Sequence, residues 1–150
     1  MPPRIAYFHV APDAIKSLTP SRTYVESTSI GKPLRALVEL RSSQINGCAY
    51  CVDMRSRKAR HAGETQQRLD CLPEWRETSF FNDRERAALA WAESVTLVSQ
   101  TGVPDSVYEE ARKQFSQKEL VDLTLIVAMI NAWNRLAISF CHGPAARPEK

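Results

Sequence analysis

Apolar residues in this 150-residue chain recur mostly at intervals of three and four, the spacing that lines one face of an α-helix. Leu34, Leu37 and Val38, with Arg41 on the same repeat, predict an amphipathic helix over Leu34 to Ser43, broken by Asn46-Gly47. A second helix is expected to start at or near Cys48 and to run through Ala59 and Ala62 to a stop at Gly63. Asn82 followed by Glu85, and Ser116 followed by Glu119, are two capping-box signatures. The first opens a stripe of Ala88, Trp91, Ala92 and Val95, and the second opens the most apolar helix, with Leu120, Leu123, Val127 and Ile130. Between them, Gly102-Val103-Pro104 precedes a helix carrying Val107, Ala111 and Phe115.

At the other end, Pro12-Asp13 opens a segment with Ile15, Leu18 and Val25, and Pro20 predicts a kink or restart near Thr19. Gly31-Lys32-Pro33 closes it. Residues 64–81 are the least regular and read as short helical pieces around Pro73. No run of four or more residues alternates with strand period, and no linker or repeat divides the chain. The pattern predicts an all-α, compact helical bundle forming one domain over residues 1–150, with a disordered tail over 144–150.

Composition narrows the function without naming it. Apolar residues at 43% and charged residues at 25% are ordinary for a globular domain. The net charge of +3 is spread along the chain among Asp and Glu, which argues against a nucleic-acid partner. The first residues lack the apolar core of a signal peptide, and the stretch Leu120 to Ile130 is too short and, with Asp122, too polar to span a bilayer. A cytoplasmic protein with no membrane partner is therefore expected.

Four cysteines change the picture: Cys48 and Cys51 stand three apart, while Cys71 and Cys141 stand alone. On a helix, Cys48 and Cys51 lie one turn apart on nearly the same face, and unpaired amides in the first turn favour a thiolate. The pair reads as a redox dithiol, as half of a zinc site completed from Cys71, Cys141 and His142, or as two small buried apolar residues. The helical period before Cys48 speaks against a thioredoxin-type βαβ unit. Nothing resembles a phosphate loop, a dinucleotide fingerprint or a Ser-His-Asp set, so no cofactor is implied.

The run from Leu37 to Met54, containing Asn46-Gly47-Cys48-Ala49-Tyr50-Cys51, resembles the core of alkylhydroperoxidase D-like proteins of the carboxymuconolactone decarboxylase superfamily. Glu119 to Thr124 and Ile130 to Leu136 resemble the later part of the same core, so the similarity spans roughly residues 5–140. The resemblance implies helical subunits in homotrimers or homohexamers and thiol peroxidase or disulfide reductase activity in an antioxidant role. Cys51 would attack a hydroperoxide, Cys48 would resolve the sulfenic acid as a disulfide, and a dithiol or lipoyl-bearing donor would reduce it.

At two positions the chain departs from that pattern. The histidine four residues after the second cysteine is Arg55, and the glutamate twelve residues before the first is Ala36. Glu39, near the face of Ala36, and Tyr50 are the candidates to hold a proton instead. Arg55 is expected either to face Cys51 and lower its pKa by fixed charge, or to point into solvent with Arg57, Lys58 and Arg60. His61 falls off the Cys51 face, His9 and Cys141-His142 read as bland, and Trp91 and Trp133 read as packing residues. The missing relay keeps a second class open, a non-enzymatic oligomer that senses redox state or holds a metal.

Overall fold

The structure is a computed structural model that describes residues 1–148. It is helical throughout, with no strand among the described residues. The helices are α1 (Tyr7–Val10), α2 (Pro12–Lys16), α3 (Thr19–Ser27), α4 (Lys32–Asn46), α5 (Ala49–His61), α6 (Gln66–Asp70), α7 (Asp83–Thr96), α8 (Val98–Thr101), α9 (Asp105–Gln114) and α10 (Gln117–Ser139). A 3₁₀ turn, Leu72–Glu77, carries Pro73 in the irregular stretch.

Local chemistry sets the boundaries. Pro12, Pro20 and Pro33 each stand in the first turn of α2, α3 and α4, where a missing N–H costs nothing. Both capping boxes form: Asn82 exchanges bonds with Glu85 at the start of α7, and Ser116 with Glu119 at the start of α10. The first segment is more broken than a single kink at Thr19 implies, because α1 precedes Pro12 and α2 ends at Lys16. Residues 143–148 are not helical, and the expectation of disorder at 149–150 lies outside the described residues.

The middle of the bundle is α4, which packs against α5, α7 and α10. Its buried face is split between two clusters. Val38 joins Trp91, Phe115, Leu123 and Val127 on the α7–α9–α10 side. Leu37 and Leu40 join Leu72, Trp75, Phe81 and Leu89 on the other. The apolar stretch expected at Leu120 to Ile130 is part of a longer helix: α10 has 23 residues and by length and composition alone could cross a bilayer. Here it buries Leu123, Ile126, Val127 and Ile130 in the bundle, together with the polar Asp122 and Asn134. Ala137, near its end, packs with Cys48, Cys51 and Tyr50, so α10 floors the cysteine pair.

Candidate functional site

The pair is placed by one backbone device. Gly47 takes φ +68°, ψ +32°, the left-handed conformation that glycine adopts without a Cβ penalty. This closes α4, with the Gly47 and Cys48 amides donating to the Ser43 carbonyl. The turn leaves Cys48 extended as the N-cap of α5, where its Sγ accepts from the Cys51 amide at 3.3 Å. A sulfur thus fills the place usually taken by a Ser or Asp oxygen. Both cysteines are free thiols and almost wholly buried.

The two sulfurs are not equivalent. The Cys48 thiol is pulled down to about 7, chiefly because the Cys51 thiol donates to it, with further help from the Cys51 amide and Asn134 against the cost of burial. Cys51 is pushed up, first because its proton is engaged by Cys48 and then by burial. Proton binding at the two sulfurs is therefore coupled, and Cys48 is the more acidic of the two. Only Cys51 lines the adjoining cavity.

Asn134, fully buried on α10, is a site residue that motif reasoning passed over. Its Nδ2 donates to Ser43 Oγ at 3.1 Å, its Oδ1 accepts from Asn46 Nδ2 at 2.9 Å, and it helps to lower the pKa of both thiols. Asn46 bonds Asn131 Oδ1 as well, so the end of α4 is tied to α10 beneath the pair. The available signal was two asparagines, Asn131 and Asn134, three apart on an otherwise apolar helix, which a buried face tolerates only when both are satisfied.

Arg55 neither points into solvent nor holds Cys51 as a thiolate. Its Nη1 donates to Glu39 Oε2, and both side chains are largely buried. The expected lowering of the Cys51 pKa is corrected by this pairing: the influence of Arg55 is outweighed by the Cys48 hydrogen bond and by burial. Glu39 is also within 3.7 Å of Arg35. Burial pushes its carboxyl upward, and Arg55, Arg35 and Lys58 pull it back. Ala36 is buried in the second core cluster one turn earlier. A fixed ion pair, Glu39–Arg55, therefore stands where the resemblance expects a proton-relaying Glu and His.

Tyr50 packs beside the cysteines, with its ring edge to face against His142 at 4.4 Å between centroids. His142 also meets Tyr7 and Phe8 at 5.7 Å, so the Cys141-His142 turn closes an aromatic cluster over the pair. Burial, followed by Tyr50 and both cysteines, pushes the Tyr7 hydroxyl up to about 12, so it keeps its proton near the sulfurs. Trp91 packs in the core, its Nε1 donating to Thr124 Oγ1 at 3.0 Å, whereas Trp133 and His61 line the cavity. His9 is exposed. Cys71 and Cys141 are free and half-buried, and no group of three or more His, Cys, Asp or Glu side chains converges among the described residues.

The cavity beside Cys51 has a volume of about 690 Å³. It runs between α3, α4, α5 and α10, and its wall includes Arg55, Glu39, Tyr50 and Tyr7. Of the two cysteines, a small molecule entering here meets Cys51.

Known proteins share this architecture. The carboxymuconolactone decarboxylase family model matches residues 12–94. YdfG of Bacillus subtilis (strain 168), an uncharacterised protein, is 39% identical over 147 residues, covering 98% of this chain and 100% of YdfG. The crystal structure of ATU0492 from Agrobacterium tumefaciens, a protein of unknown function with the provisional description antioxidant defence protein AhpD, aligns at a TM-score of 0.93. Its identity is 38%, over 97% of this chain and 100% of that one. The alkylhydroperoxidase AhpD core structure from Ralstonia eutropha JMP134 aligns at a TM-score of 0.81 with 21% identity, over 92% of this chain and 74% of that one, a likeness of fold alone. Helical bundle, cysteine-bearing turn and full-length similarity agree: the chain belongs to the carboxymuconolactone decarboxylase family, with an alkylhydroperoxidase D-like fold.

Proposed function

We propose that this protein is a thiol peroxidase that reduces organic hydroperoxides through Cys51 and Cys48 and is recycled by a dithiol or lipoyl-bearing donor. The observation that carries the reading is that Cys51 lines the cavity while the Cys48 sulfur, bonded to the Cys51 amide at 3.3 Å, adjoins it. The AhpD description of the 38%-identical Agrobacterium protein agrees with it.

The two thiols and solvent account for each proton. Cys51 passes its thiol proton to the Cys48 sulfur, which leaves the thiolate on the cavity side. That thiolate attacks the terminal oxygen of the hydroperoxide. The O–O bond breaks, Cys51 becomes a sulfenic acid, and the alkoxide leaves and takes a proton from solvent to become the alcohol. The Cys48 sulfur then attacks the Cys51 sulfur, and the hydroxide departs with the Cys48 proton as water. The dithiol loses two electrons, and the peroxide becomes an alcohol and water. An external dithiol returns the electrons by exchange with the disulfide.

In this scheme Cys48 supplies the base that the resemblance assigns to a histidine. Peroxide consumption by purified protein, assayed with dihydrolipoamide and with other dithiols, tests the proposal. Donor-dependent turnover that is lost in Cys51→Ser is expected, and absence of turnover with every donor contradicts it. The Glu39–Arg55 ion pair favours a second reading, a redox sensor that forms the disulfide once and is not recycled. Disulfide formation by peroxide without turnover by any dithiol would select that reading.

A further inference from the structure

The lining of the cavity beside Cys51 is chemically mixed. Ile30, Met54, Met129, Ile130 and Trp133 supply an apolar surface. The same lining holds five cations, Arg22, Lys32, Arg35, Arg55 and Lys58, against two carboxylates, Glu26 and Glu39. Glu39 is already committed to Arg55 and Arg35. Among the described residues, Arg22, Lys32 and Lys58 make no ion pair and no side-chain hydrogen bond, and all three are exposed at the rim. The Lys58 ammonium is held below its usual range by burial and then by Arg55, with Arg22 adding to the repulsion against the pull of Glu39 and Glu26.

An excess of positive charge beside apolar lining residues fits a ligand with an anionic head and a hydrocarbon body. Low-dielectric walls focus such a field into the opening, and the apolar body accounts for most of the surface removed from water. Building on the peroxidase reading, we propose that the cavity selects organic hydroperoxides that also carry a carboxylate. The carboxylate sits between Arg22 and Lys58, the apolar chain lies along Met54, Met129 and Trp133, and the peroxide end reaches Cys51.

Binding is measured without turnover, so the result is independent of whether the peroxidase reading holds. Octanoate and 1-octanol share a chain and differ in the head group. Calorimetric titration of the reduced protein is expected to give a dissociation constant for octanoate about tenfold below that for octanol, the size expected of two partly exposed charge contacts. Inorganic phosphate at equal concentration is expected to compete weakly, because it has no apolar body. In the Arg22→Gln/Lys58→Gln double variant, whose sites are on the surface, octanoate is expected to fall to the affinity of octanol while octanol is unchanged. Equal binding of octanoate and octanol by the native protein overturns the proposal. So does absence of octanoate binding, phosphate competing as well as octanoate, or a double variant that keeps the preference. Turnover of tert-butyl hydroperoxide, which carries no charge, reports separately on the peroxidase reading.

Discussion

Charge at the cysteine pair is governed by a hydrogen bond between two thiols, and that makes Cys48 the acidic member. With its pKa near 7, the Cys48 thiolate is present above that pH and is lost as pH falls through it. Thiolate absorbance at 240 nm should therefore drop with a midpoint near 7 on acidification. Cys51→Ala removes the thiol donor, and the midpoint should move toward the ordinary cysteine value of about 8.5. An unchanged midpoint would mean that the amide and Asn134 alone hold the charge. Arg55 belongs at the same scale. Arg55→Met leaves Glu39 buried with Arg35 and Lys58 as its remaining cations, so denaturant titration should show a loss of roughly 1–3 kcal/mol, short of the full penalty for an unpaired buried charge. Arg55→His sets an imidazole beside the Glu39 carboxylate with no change at buried Ala36. Because Cys48 supplies the base in the proposed scheme, turnover should stay nearly unaltered, and a rise of roughly a hundredfold would show that a missing proton shuttle limits the rate and contradict that role.

At the scale of elements, the site depends on how α4 hands the chain to α5. A Cβ at Gly47 meets nothing within 4 Å, so Gly47→Ala is opposed by backbone conformation alone. The cost should be about 1–2 kcal/mol. The diagnostic result is a Cys48 midpoint moved upward, since the sulfur loses its place at the head of α5; stability lost with the midpoint intact would contradict that link. Asn134→Ala should cost about 1–3 kcal/mol by leaving Asn46 and Ser43 short of partners, and it should raise the same midpoint. The sequence made much of this legible. Gly47 as a stop, Cys48 at the helix start and both capping boxes follow from local rules that depend on near neighbours only. Asn134 and the Glu39–Arg55 pair did not follow. Their partners are 88 and 91 residues away for Asn134 and 16 away for Glu39, across helices whose mutual rotation no local rule fixes. His142 was likewise hidden, because its contacts with Tyr7 and Tyr50 depend on where the end of α10 meets α1 and α5.

For the whole molecule, α10 leaves two large apolar residues exposed, Val121 at 69% and Ile138 at 43%. Together with the trimers or hexamers implied by the family resemblance, this leads to the expectation of a trimer or larger by light scattering on a sizing column. A monomer at micromolar concentration would contradict it. The all-helical class and the single bundle were readable from apolar period alone, whereas the cavity was not, because its wall draws on four helices and on Tyr7 and Phe8 near the amino terminus. The central claim is that one hydroperoxide is reduced by one pair of sulfurs. Its most direct test is a single turnover: reduced protein mixed with one equivalent of tert-butyl hydroperoxide, quenched by alkylation and mapped by mass spectrometry. The account predicts one alcohol formed per Cys48–Cys51 disulfide, with Cys71 and Cys141 alkylated as free thiols. Unconsumed peroxide, or a disulfide joining Cys71 to Cys141, would contradict it.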